Sequence, residues 1–188
     1  AERTDYAMNN EKTANGELIS SFECALQTAA SEFAFSKRIY FQKTGRESEH
    51  DIIAYQFRQS FKPGEVTAEE ANRIGYEFAE RFLKCRHAFI VCTHINRHHI
   101  HNHVIWNSTN LDCTRKFRNF WYSTNAVRKL SDIICIEHGL SVIEKPGRKG
   151  LSYDKWLGNK AKPSNREIVR IAIDEILDQK PKDMEEFI

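Results

Sequence analysis

No stretch of this chain is apolar for long enough to span a bilayer, and its first residues lack the charged-then-apolar pattern of a secretory signal. Paired cysteines are missing too. The five present, Cys24, Cys85, Cys92, Cys113 and Cys135, are odd in number and scattered, with no CxxC spacing. That argues against both a thiolate zinc site and a disulfide framework, so reduced thiols in a cytoplasmic compartment are expected. Neither a Walker loop nor a dinucleotide fingerprint occurs, so no nucleotide cofactor is indicated. No repeat or low-complexity tract is visible. A large excess of one charge is also absent, the net value being +2 over 188 residues. These length and composition values suit one folded domain with a real core.

The near-neutral total hides an uneven distribution. Thr114 to Lys129 carries Arg115, Lys116, Arg118, Arg128 and Lys129 with no acidic residue, interleaved with Phe117, Phe120, Trp121 and Tyr122. A second basic group, Lys145, Arg148 and Lys149, surrounds a glycine-rich turn, Gly147 to Gly150, which could also contact a nucleic-acid backbone. Acidic residues gather at Glu65 to Glu80 and beyond Asp174. Cationic grooves with aromatic platforms are how single-stranded nucleic acid is held, so Arg115, Lys116, Arg118, Trp121 and Arg128 are candidate DNA contacts. Arg58 and Ser60, on an expected strand, are candidates for a phosphate.

Helical spacing of apolar residues predicts helices over Ala1 to Met8, Leu26 to Tyr40, Thr124 to Glu137 and Ser164 to Asp178. Another opens at Thr67, where Thr67-Ala-Glu-Glu70 reads as a capping box; Ser164-Asn-Arg-Glu167 is a second. The Asn15-Gly16 and His138-Gly139 pairs mark turns or stops. Strands are expected at Glu17 to Phe22, Asp51 to Phe61, Ala88 to Thr93 and His99 to Asn107, the last two forming a hairpin. The expected fold is α+β, with a central, mainly antiparallel sheet and helices packed on it. Residues 1–144 form the expected main domain, and 145–188 a helical C-terminal extension.

Five of the eight histidines fall between His94 and His103. On an extended strand residues two apart share a face, so His99, His101 and His103 point the same way, and His94 can fold over that face from the adjoining strand. Convergent neutral imidazoles are good ligands for a divalent ion. His98 faces away. No carboxylate cluster accompanies the rings, which disfavours a hydrolase of small phosphoesters.

An upstream histidine, a histidine pair seven and nine positions later, and an Asn four beyond that (His94, His101, His103 and Asn107) resemble the third motif of conjugative relaxases. These mobilization nucleases belong to the HUH endonuclease superfamily. Asp5-Tyr-Ala-Met-Asn-Asn-Glu-Lys-Thr13 is similar to their first motif, with Asn9-Asn10 where Asn-Pro is usual. Gln59 to Glu65 and Asn107 to Asn119 resemble segments of the VirD2-like branch from Gram-positive mobile elements. Two further departures are Asn102, where a hydrophobe separates the pair, and Asn96, where relatives carry Asp. The family's opening strand precedes its first motif and this sequence begins just past it, so that strand is either missing or replaced by another segment.

The resemblance implies metal-assisted transesterification at a transfer origin on single-stranded DNA, for conjugative transfer with accessory proteins. Tyr6 is the implied nucleophile, forming a 5′-phosphotyrosine, with Tyr40, Tyr55 and Tyr122 as rivals. His94, His101 and His103 are the implied ligands, with His99 an alternative. Asn96 and Asn107 are placed to orient them. The implied ion is Mn²⁺ or Mg²⁺, although three imidazoles also suit Zn²⁺. Alternative readings are a rolling-circle replication initiator and a catalytically inactive DNA-binding remnant of a relaxase.

Overall fold

In a computed structural model, residues 2–46 and 51–143 are described. Their elements, in chain order, are α1 (Glu2–Ala7), β1 (Ile19–Phe22), α2 (Ala29–Thr44), β2 (Ala54–Ser60), α3 (Ala68–Leu83), β3 (Phe89–His94), β4 (His101–Asn107) and α4 (Ser123–Glu137). The expected helix at 164–178, its capping box, the 147–150 turn and the Lys145, Arg148 and Lys149 group lie outside the described residues.

The four strands form one antiparallel sheet in the order β1-β3-β4-β2. This is the α+β architecture expected. β3 and β4 are buried at every residue because both faces of the sheet are covered. Alternation then assigns each side chain to a face. On one face Ile90, Cys92 and Ile105 pack with Ala7 of α1 and with Ala29 and Phe33 of α2. On the other, Phe89, Val91, Val104 and Trp106 meet Ala79 and Leu83 of α3, while Ile74 and Phe78 join Ile134 and Cys135 of α4. Each large apolar side chain so enclosed contributes roughly 1.5–3 kcal/mol.

Thr67 caps α3 by accepting a hydrogen bond from the Glu70 N–H at 3.2 Å. Polar groups thread the face beneath this helix. Asn102 is fully buried there and donates to the Ala71 carbonyl at 2.6 Å and to Gln59 Oε1 at 3.2 Å. Its Oδ1 accepts from Thr93 Oγ1 at 2.7 Å. Asn72 donates to Thr93 Oγ1, at 3.0 Å, and to the Leu18 carbonyl, at 2.9 Å. Gly75 lets α3 lie against this network, since a Cβ there would stand 2.5 Å from Asn102 Nδ2.

Several boundaries differ from the sequence expectation. α2 starts at Ala29, not Leu26, because Glu32 turns back to accept from the Ala25 N–H and the Thr28 hydroxyl. The second hairpin strand starts at His101, not His99, because residues 95–100 form the turn between β3 and β4. Among the described residues no strand precedes α1, and β1 and β2 are the sheet edges.

Candidate metal centre

β3 and β4 pair with His94 opposite His101 and Cys92 opposite His103. This register sets the rings of His94, His101 and His103 on one face at the turn end of the hairpin. The ring centroids are 4.5 Å apart for His94 and His103, 5.1 Å for His94 and His101, and 5.3 Å for His101 and His103. One nitrogen from each lies within 4.8 Å of the others, and all three residues are buried. His99 is exposed in the turn, its ring 5.4 Å from that of His101.

The outer nitrogens are held by the protein. His94 Nε2 lies 2.8 Å from the Ala7 carbonyl, so it carries the proton and Nδ1 keeps the lone pair. His101 Nδ1 points to the His99 carbonyl at 3.4 Å, which leaves Nε2 as its acceptor. His103 Nδ1 is 2.5 Å from the amide nitrogen of Gln56. Turning that amide over would present oxygen to Nδ1–H and leave a lone pair on Nε2. Nε2 of His103 is buried with no hydrogen-bond partner. An orphaned buried nitrogen facing two other convergent imidazoles is a donor set that fits a divalent ion, with further coordination positions open.

Electrostatics favour neutral rings. Burial, then the neighbouring charges of His94, His101, Arg58 and Lys12, pushes His103 down to about 4. His94 is lowered chiefly by burial, opposed by its bond to Ala7 and helped by Lys12. His101 is likewise lowered chiefly by burial. Neutral imidazole is the ligating form, so this setting prepares the cluster for a cation.

Tyr6 is brought to the cluster. Its ring centroid lies 5.8 Å from that of His94 and 5.9 Å from that of His103, and the side chain is about half exposed. The rivals are elsewhere. Tyr55 faces the opposite side of the sheet, stacked on Trp106; Tyr40 is buried in α2; Tyr122 is exposed at the start of α4. Lys12 Nζ sits 3.5 Å above the Tyr6 ring, a contact that residue types alone did not disclose. The segment carrying it is tied to the hairpin, since the Ile95 N–H donates to the Lys12 carbonyl at 3.0 Å.

Other candidates divide. Arg58 and Ser60 stand opposite His103 and His101 across β2 and β4, on the cluster's face, and both are exposed. Asn96 is exposed in the turn, and the group orienting His94 is the Ala7 carbonyl instead. Asn107 bonds Ser36 and the Thr109 N–H, closing the far end of β4, about 20 Å from His101 at strand rise. Arg115, Lys116, Arg118 and Trp121 follow that far end. Lys116 is engaged by Asp51, whereas Arg115, Arg118 and Trp121 are exposed. Arg128, on α4, pairs with Asp132 at 3.6 Å and donates to the Ile143 carbonyl at 3.0 Å. The structure therefore gathers Tyr6, Arg58, Ser60 and three histidines, and sets Arg115 and Lys116 beyond the other end of β4, whereas Arg128 lies on α4, whose Ser131 accepts from Gln59 at 2.9 Å.

Among the described residues no helix is long and apolar enough to cross a membrane. Residues 6–140 match the family described as relaxase, MobA/VirD2-like, nuclease domain. A Staphylococcus aureus protein named Protein rlx is 34% identical over 157 residues, covering 83% of this chain and 46% of the relative. Another Protein rlx from that species is 35% identical over 161 residues, covering 85% and 48%. The group II intron-interrupted relaxase LtrB of Lactococcus lactis subsp. cremoris is 29% identical over 185 residues, covering 80% and 33%. The chain thus spans under half the length of these relatives. The histidine hairpin and the tyrosine segment docked on it both lie within the matched region, and the chain belongs to the MobA/VirD2-like relaxase nuclease-domain family.

Proposed function

We propose that this chain nicks one strand of DNA at a transfer origin by transesterification, with Tyr6 as nucleophile. The observation that carries the reading is the placement of the half-exposed Tyr6 ring beside both His94 and His103. Tyr6 Oη attacks the scissile phosphorus, the P–O3′ bond breaks, and the 5′-phosphate stays on the tyrosine. The phenol proton leaves to solvent and the departing 3′ oxygen takes one up, so the step is reversible with no net change in protons. A phenolate is both nucleophile and leaving group, which keeps the bond available for rejoining.

His94, His101 and His103 would hold a divalent ion, Mn²⁺ or Mg²⁺ with Zn²⁺ also compatible. Such an ion polarises a non-bridging phosphate oxygen and offsets charge in the pentacovalent transition state. The Ala7 carbonyl and the Gln56 amide fix the orientation of two of the rings. Arg58 and Ser60 line the same face as contacts for flanking phosphates, while Arg115, Arg118, Trp121 and Arg128 would engage more distant DNA, and Lys116 braces Asp51. Residues 1–144 are proposed as the nuclease domain, working with conjugation accessory proteins that present the strand.

The test uses single-stranded oligonucleotides tiling both strands of the DNA flanking the chain's own gene, with Mn²⁺, run on denaturing gels. The expected result is a covalent protein–DNA adduct at one site that disappears in Tyr6→Phe. An adduct that survives this substitution would move the nucleophile to another residue, and no adduct on any tile would overturn the reading.

A further inference from the structure

The proposed reaction, on which this inference rests, leaves a cation beside the nucleophile without a role. We infer that Lys12 is a catalytic residue of the nicking step: its ammonium binds a non-bridging oxygen of the scissile phosphate while Tyr6 Oη attacks. The placement is specific, with Nζ 3.5 Å from the centroid of the Tyr6 ring, whose own centroid lies 5.8 Å from that of His94 and 5.9 Å from that of His103.

Lys12 is also held in position. It ends a short 3₁₀ turn, Asn10–Lys12, capped by Asn9, whose side chain accepts from the Glu11 N–H. The next residue, Thr13, is fully buried and donates to the Asn9 carbonyl at 2.9 Å. With the Lys12 carbonyl bonded to Ile95 at the end of β3, only the four-carbon stem is free to move. Among the described residues no carboxylate lies within ion-pair distance of Nζ.

The reaction needs such a group. A phosphodiester brings one negative charge, and the pentacovalent arrangement formed by an attacking phenolate carries two. The imidazoles face this charge in neutral form. At rest the ammonium is held by the aromatic face of Tyr6. An entering phosphate is a stronger partner, and the side chain needs to swing only from the ring face to the attacked group. On the reverse path the same cation offsets charge on the departing phenolate. A lysine on a short surface turn is ordinarily a solubilising residue; the half-buried position of Lys12, its seat on the Tyr6 ring and its tether to the histidine hairpin argue otherwise.

The scissile linkage is first mapped with the unaltered chain. Lys12→Met is then compared for adduct formation and, in a Tyr6→Phe background that cannot cleave, for binding to two oligonucleotides. One carries the normal phosphodiester at the mapped linkage and the other an uncharged methylphosphonate there. Lys12→Met is expected to slow adduct formation about 100-fold. It should weaken binding of the phosphodiester strand about tenfold and leave the methylphosphonate strand unchanged. Lys12→Arg, which keeps the charge, should recover at least a tenth of the rate. Tm measured without DNA should match the unaltered chain. An equal loss on both strands, or none, would overturn the assignment to the scissile phosphate. An adduct rate that Lys12→Met leaves intact would remove Lys12 from catalysis while nicking by Tyr6 stands; no adduct with the unaltered chain would remove both. Should Lys12→Met fold poorly, Lys12→Gln serves in the same comparison.

Discussion

His103 concentrates the physics of the site in one side chain. Its Nδ1 meets Gln56, its Nε2 has no partner, and burial holds its titration down to about 4. An unfolded chain would titrate the same ring near 6.5. Between these values the unfolded state binds more protons than the folded one, so stability falls as pH drops through this window and levels off below it. The ion-free protein should therefore lose on the order of 2 kcal/mol between pH 6.5 and 4, read from urea titrations at several pH values. His103→Phe should flatten that slope, and an unchanged slope would assign the acid sensitivity to other groups. Strand alternation made His101 and His103 legible as neighbours on one face but counted His99 with them, which lies in the turn, and His94 was singled out through the resemblance to the relaxase motif. The Ala7 carbonyl was not, since a backbone oxygen has no residue-type signature and its contact with His94 spans 87 positions. Lys12 was legible as part of a motif and illegible as a neighbour of Tyr6.

At the scale of elements, α3 and the histidine hairpin act as one unit through Gly75. A methyl group there would meet Asn102 Nδ2 at 2.5 Å and Val91 Cγ1 at 2.8 Å. Asn102 lies between His101 and His103, so any shift it makes is transmitted to both. Gly75→Ala should cost about 1–3 kcal/mol in stability, and should also weaken Mn²⁺ binding measured by calorimetry on the folded protein. Loss of stability with unchanged ion affinity would show that the two faces of the sheet are not coupled. The departure at Asn102 from a hydrophobe becomes intelligible here: every hydrogen-bonding group of its amide that faces α3 has found a partner in Thr93, Gln59 or Ala71. The cap at Thr67 and the stop at His138-Gly139 were readable because local chemistry sets them. The start of α2 was not, since apolar spacing marks which face is buried and not where a turn such as Cys24 to Thr28 yields to helix. The basic segment after β4 shows the same limit. Its composition says nothing of where it lies, which depends on β4, an extended strand that leads the chain away from His101.

For the folded unit as a whole, an ion that binds only the native arrangement must stabilise all of it. Mn²⁺ at about a hundred times its dissociation constant should add about 2.7 kcal/mol and raise Tm accordingly. His94→Ala should abolish the increase, and a Tm indifferent to divalent ions in the unaltered chain would remove the metal centre. The ties between Ala7 and His94, and between Lys12 and Ile95, have a consequence for biosynthesis. Each joins residues more than eighty positions apart, so neither can form until the ribosome has released the β3–β4 hairpin. Within this chain the Tyr6 segment is therefore synthesised before the hairpin it docks on, and it waits without a docking site until β3 and β4 have followed. A chain cut short before β3 thus carries the Tyr6 segment without the histidine face that the Tyr6 ring packs against, so any chemistry that needs both is withheld until the hairpin exists.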